Sequence, residues 1–129
     1  MDSELDDDVL EFAHRMFDLA RDGDASTLAA NLSAGLPANL TNHTGDTLLM
    51  LADYHDHPGA VRVLLDAIAD TGRINDRGQT ALGAAVFRRS SQVVALLLEA
   101  RPDPALGSPS AVDVARFFDL PEMLAQLAG

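Results

Sequence analysis

A fixed period constrains this chain more than any single motif. The segment GDTLLMLA, Gly45 to Ala52, returns as GQTALGAA, Gly78 to Ala85, so that Gly45 and Gly78, and Thr47 and Thr80, each stand 33 residues apart. The stretches VRVLLDAIAD from Val61 and VVALLLEARPD from Val93 superpose Val61 on Val94, Leu65 on Leu98 and Asp70 on Asp103. A weaker copy precedes them, marked by Gly23, Gly35 and the LPAN that ends at Asn39. A fourth, SAVDVARFFDLPEMLAQL from Ser110, follows a loop three residues shorter. Such a period implies stacked supersecondary units, each burying its apolar surface only against its neighbours.

Each unit reads as a helix pair. Thr47, Thr80 and Ser110 stand just before apolar runs, where a side-chain oxygen accepts a backbone N–H that the first helical turn leaves unpaired. Val94, Leu97 and Leu98 recur at helical spacing and are predicted to pack between units. On the first helix, Val9, Phe12, Met16 and Leu19 form the expected inward stripe, and Glu11, Arg15 and Asp18 a solvated face with i,i+4 and i,i+3 charge pairs. Asp6 to Asp8 suit the positive helix start, with residues 1 to 5 expected to be disordered. The end units read as caps, since each has one neighbour only. Arg101 to Pro109, with three prolines and one glycine, is the least regular connection.

The pattern resembles the ankyrin repeat: a glycine turn, a T-P-L-H-like first helix and a V-V-x-L-L-L second helix ending near G-A-D. The likeness spans about residues 12 to 127 and is strongest in GQTALGAA with VVALLLEARPD. Leu48 and Ala81 replace the family's proline, Met50 and Gly83 its histidine, and Ile68 and Arg101 its terminal glycine. The resemblance implies one all-α domain over residues 1–129, a solenoid of about four helix-turn-helix repeats near 6–39, 40–72, 73–105 and 106–129, with N- and C-terminal capping repeats.

It also implies a non-catalytic protein–protein interaction module that binds a partner protein through its concave face and turn tips. In repeat register Tyr54, Phe87 and Phe117 share one position near the end of the first helix, a ladder of rings of the type that anchors interfaces. Tyr54 is expected to be exposed; core packing and exposure are equally open for Phe117, beside Phe118. The tips carry His43, Thr44 and Asp46 in one repeat and Asp76, Arg77 and Gln79 in the next, while His55 and Arg88 adjoin the ladder. Ordinary loop solvation is the competing explanation of the polar tips.

Composition narrows the partner. Twenty acidic residues against nine basic ones, all arginine, give a formal charge of −11. Such a field repels phosphate backbones and anionic membrane faces, so neither nucleic acid nor membrane is an expected partner. Residues 1–24 hold nine acidic and two basic side chains, a charge that serves solubility or steers a basic partner. With no cysteine there is no disulfide, thiolate nucleophile or cysteine metal site. The acidic start and the lack of an apolar run near the roughly 18 residues of a membrane span suggest a cytoplasmic protein, monomeric when unbound.

Two other readings compete. Asp53-Tyr54-His55-Asp56-His57 holds four potential metal donors, the basis for a metal-dependent or hydrolytic enzyme around Asp53, His55 and His57. The register instead lays this run across an inter-helix turn, and the resemblance gives His57 a structural place there. Ser90, Ser91, Ser108 and Ser110 lack a nucleophile-elbow context, and no glycine-rich phosphate loop occurs. No catalytic residue, metal or cofactor is therefore expected. The other reading keeps the binding role but narrows it to a dedicated accessory or inhibitor of one enzyme encoded nearby.

Overall fold

The computed structural model describes residues 3–128, with side chains from residue 8 onward. Among the described residues the chain forms eight helices and no strand: α1 (Ser3–Asp22), α2 (Ala25–Ser33), α3 (Leu48–Tyr54), α4 (Pro58–Asp66), α5 (Ala81–Arg88), α6 (Ser91–Glu99), α7 (Ala111–Phe117) and α8 (Pro121–Ala128). The first helices α1, α3, α5 and α7 pack in series, the second helices α2, α4, α6 and α8 form a parallel row, and each first helix packs on its own second helix. This is an all-α helix-turn-helix solenoid.

The predicted caps form. Thr47 accepts from the Met50 N–H at 3.1 Å, and Thr80 from Gly83 at 3.0 Å. Ser110 accepts from Asp113 at 3.1 Å while the Asp113 carboxylate takes the Ser110 N–H in return, a reciprocal pair that satisfies two donors at once. Asp24 does the same work for α2 through the Thr27 N–H.

The helices close on left-handed residues. Gly23, Asp56, Arg89 and Asp119 end the first helices with φ of 73°, 56°, 60° and 53°, one per repeat. Ile68 and Arg101, which replace the family glycine, still adopt φ of 61° and 55°. The turn geometry is thus kept without the residue that makes it easy.

One core runs the length of the stack. Leu28, Leu49, Val61, Leu64, Leu82, Val94 and Leu97 are all buried, with Leu65 and Leu98 partly so. The inward stripe of α1 differs from the expected one. Met16, Phe17 and Ala20 are its buried residues, Phe12 and Leu19 are half-buried, and Val9 is 59% exposed. At 20 residues α1 is far longer than α3, with 7, so its first half overhangs the neighbour that would have covered Val9. The ion pair on its solvated face joins Arg21 to Asp18 at 2.9 Å, not Arg15 to Glu11 or Asp18. The helix begins at Ser3, inside the stretch expected to be disordered; Met1, Asp2 and the side chains of Asp6 and Asp7 lie outside the described residues.

The last repeat shows what a missing neighbour does. Ala20, Asp53, Val86 and Arg116 occupy one slot in successive repeats; the first three are buried against the following repeat, and Arg116 is exposed. Likewise Met50 and Gly83 are buried while Asp113 is not. Polar residues stand on the open end, as a capping repeat requires.

Candidate functional site

The turn tips are built by two asparagines one period apart. Asn42 Oδ1 accepts the N–H groups of Thr44 and Asp46, and Asn75 Oδ1 those of Arg77 and Gln79. Each side chain therefore holds its tip in shape by substituting for backbone partners. The Asp76 N–H donates to the Thr44 carbonyl at 3.0 Å and ties one tip to the next.

Beneath these tips lies a polar cluster. The Tyr54 hydroxyl donates to Asp46 Oδ1 at 3.0 Å and accepts from Asn75 Nδ2 at 2.8 Å; Asn75 also donates to Asp46 Oδ1 at 2.8 Å. Gln79 Oε1 approaches both Tyr54 and Asn75. Burial pushes the Asp46 carboxyl up, but hydrogen bonds from Asn75, Thr44 and Tyr54 and the charge of Arg77 outweigh it and leave the group below its ordinary value. Burial, with the Asp46 carboxylate beside it, pushes Tyr54 up to about 12.

Asp46 and Tyr54, expected at the binding surface, are bonded into this cluster beneath the tips. Asp46 is 6% exposed, and Tyr54 is half-buried rather than exposed, its ring 5.8 Å from the Arg77 guanidinium. Thr44 and Gln79 are also half-buried and bonded inward. His43, His55, Asp76, Arg77 and Arg88 are exposed.

The other two rings of the ladder are open. Phe87 is 59% exposed and Phe117 81%. The gradient follows from the stacking: each ring lies under the tip of the next repeat. Asn75 and Gln79 cover Tyr54, the tip that meets Phe87 is three residues shorter and offers Pro109, and Phe117 has no following tip. Phe118, absent from the sequence-based ladder, completes the patch. Its ring meets Phe87 edge-on at 5.7 Å and Phe117 at 4.9 Å, and Arg89 lies 5.5 Å from its centroid. The FF pair beside the period-matched Phe87 was the available signal. Phe87, Pro109, Val114, Phe117 and Phe118 line a groove of about 270 Å³, with Asp113 at its edge.

The Asp53–His57 segment does not converge on a metal. His57 Nε2 stands 2.7 Å from the Arg21 carbonyl, bridging repeats 1 and 2, and gives α4 no side-chain cap. His55 is exposed, and Asp53 faces the interior. Among the described residues no three His, Cys, Asp or Glu groups are arranged to hold a metal ion. Both Asp53 oxygens are buried without a hydrogen-bond partner, and burial holds this carboxyl well above its ordinary value despite the nearby Arg88 charge. Among the described residues no helix is long and apolar enough to cross a membrane.

Comparison with known sequences places this geometry. The family profile described as "Ankyrin repeats (3 copies)" matches residues 16–106. An ankyrin repeat protein of Pseudomonas aeruginosa is 55% identical over 60 residues, covering 46% of this chain and 35% of the relative. NF-kappa-B inhibitor epsilon of Homo sapiens is 36% identical over 76 residues, 59% of this chain and 15% of that protein. E3 ubiquitin-protein ligase KEG of Arabidopsis thaliana is 29% identical over 112 residues, 75% of this chain and 7% of that protein. The chain thus spans about a third or less of the length of these relatives.

Proposed function

Since the chain belongs to the ankyrin repeat family, we propose that it is a non-catalytic module that binds a partner protein on the face of its first helices, centred on Phe87 and Phe117. Ankyrin repeats are generally protein–protein interaction modules, and in the family this face is the concave one. The observation that carries the reading is the open aromatic patch: Phe87 and Phe117 are 59% and 81% exposed in a chain whose other large apolar side chains mostly line the core. Exposed rings on a scaffold already rigid lose little conformational freedom on binding, so their burial is available to the complex. His43, His55, Asp76, Arg77 and Arg88 form the polar surroundings of that surface.

A narrower role, as dedicated accessory or inhibitor of one enzyme, draws support for inhibition by binding alone from the name of one relative, an inhibitor of NF-kappa-B. A cysteine-free chain is compatible with a reducing compartment, and the reading includes a cytoplasmic location and a monomer when unbound.

Affinity capture from the source organism's lysate, with wild type beside Phe87→Ala/Phe117→Ala, tests it. A protein retained by wild type and lost by the folded variant is the expected result. Equal retention by both would remove this face as the site.

A further inference from the structure

The arginines of this chain are not distributed like its acids. The first 76 residues hold 15 acidic and four basic side chains, and the remainder five of each, so the whole net charge sits in the N-terminal part. Arg21, Arg62, Arg73 and Arg77 each pair with a carboxylate, at 2.9, 3.0, 3.1 and 3.8 Å. Among the described residues the other five form no ion pair, and three of them, all exposed, adjoin the phenylalanines: Arg89 lies over the Phe118 ring, and Arg88 and Arg116 are chain neighbours of Phe87 and Phe117. Of the acids near them, Asp113 bonds the Ser110 cap and keeps its charge near Arg116, Asp56 accepts from Ser90, Asp53 is buried within reach of the Arg88 charge, and Asp119 is exposed without a side-chain bond among the described residues. In a chain with more than two carboxylates for every arginine, three guanidiniums free of ion pairs beside one apolar groove, against the carboxylates of Asp113 and Asp119, leave this groove without the net negative charge that the N-terminal part carries.

Resting on the first-helix face as the binding site, we propose that the partner segment received here is acidic: an aromatic or large aliphatic anchor, flanked by Asp or Glu, that seats in the Phe87–Phe117–Phe118 groove. The anchor meets ring edges and Pro109 in a space of about 270 Å³, while the flanking carboxylates take the donors of Arg88, Arg89 and Arg116. Guanidinium is suited to this because it is planar, weakly hydrated and able to bond a carboxylate with two parallel N–H groups. The N-terminal acidic half repels the same segment and so fixes where along the stack it docks.

The test uses the ¹⁵N-labelled full chain and three synthetic probes: a short peptide with one central Trp between Glu and Asp residues, its twin with Lys at every acidic position, and a peptide of the chain's own residues 4–16. The expected result is saturable shifting of the Phe87, Phe117 and Phe118 amides by the acidic probe alone. Arg88→Gln/Arg116→Gln should weaken its binding about three- to tenfold at low salt, the range for two exposed charge pairs. Raising the salt should narrow that difference. Phe87→Ala/Phe117→Ala, folded by circular dichroism, should weaken it tenfold or more. Equal or stronger binding of the Lys twin, or no shift with the acidic probe, would overturn the charge assignment. Tighter binding of the 4–16 peptide would make the occupant a second copy of this chain and overturn it too. If the phenylalanine variant loses its captured partner while these peptides fail, the binding face stands and only this inference falls.

Discussion

Asn75 donates to the Tyr54 hydroxyl across 2.8 Å, from the tip of the third repeat to the first helix of the second. This bond, with the one from Asn75 to Asp46, couples neighbouring repeats through polar groups largely shielded from water. Breaking it leaves donors and acceptors unsatisfied in a place where that is costly. Asn75→Ala should cost about 1 to 3 kcal/mol and Tyr54→Phe about 1 kcal/mol. In urea unfolding the double variant should lose less than the sum of the two singles, because both act on one cluster. Strict additivity would show that the bonds are independent.

Asp53 should be a liability that Val86 avoids in the same slot of the next repeat. Asp53→Val is expected to raise stability at neutral pH by about 1 to 3 kcal/mol, the usual cost of an unpaired buried polar group. The pH dependence follows from the raised carboxyl. Between the unfolded value, about 3.9, and the raised folded one, the native state binds more protons, so rising pH destabilises wild type through this group. The advantage of Asp53→Val should therefore grow with pH across that window and level off above it. Thermal unfolding of both proteins from pH 4 to 8 checks this, and a constant difference would refute the assignment.

Ile68 is a β-branched residue held at φ 61° while 86% exposed. It bears left-handed strain and contributes little packing. Ile68→Gly should raise stability by about 1 kcal/mol, since the strain relieved exceeds the flexibility added to the unfolded chain. Thermal denaturation reads the gain directly; a loss would mean that the Ile68 side chain makes a stabilising contact.

Leu97 is fully buried in α6 at the equivalent of Leu64 in α4. Leu97→Ala should cost about 2 to 5 kcal/mol, the transfer term plus an unfilled cavity. Because each repeat is supported by its neighbours, chemical denaturation should show the loss across the stack. A change under 1 kcal/mol would mean that the site collapses around the smaller side chain.

Much of the architecture was legible from residue spacing. Thr47, Thr80 and Ser110 marked three helix starts because a cap is a local interaction between a side chain and a backbone three residues on. The period set which residues share a slot, and so predicted that Tyr54, Phe87 and Phe117 align. The stripe on α1 was misread at Val9 because periodicity gives a helix its faces but not the length of its neighbour.

The sequence by itself determined the repeat, the helix pairs, their caps and the aligned rings, since each is encoded within a few residues or by a constant offset. Tertiary structure alone decided which rings meet water. Tyr54 is covered by Asn75 and Gln79, Phe87 only by a shortened tip, and Phe117 by nothing, although the three hold one position. The same stacking buries Asp53 and exposes Arg116 in a shared slot, because burial in a solenoid belongs to the repeat that follows and not to the residue that is buried.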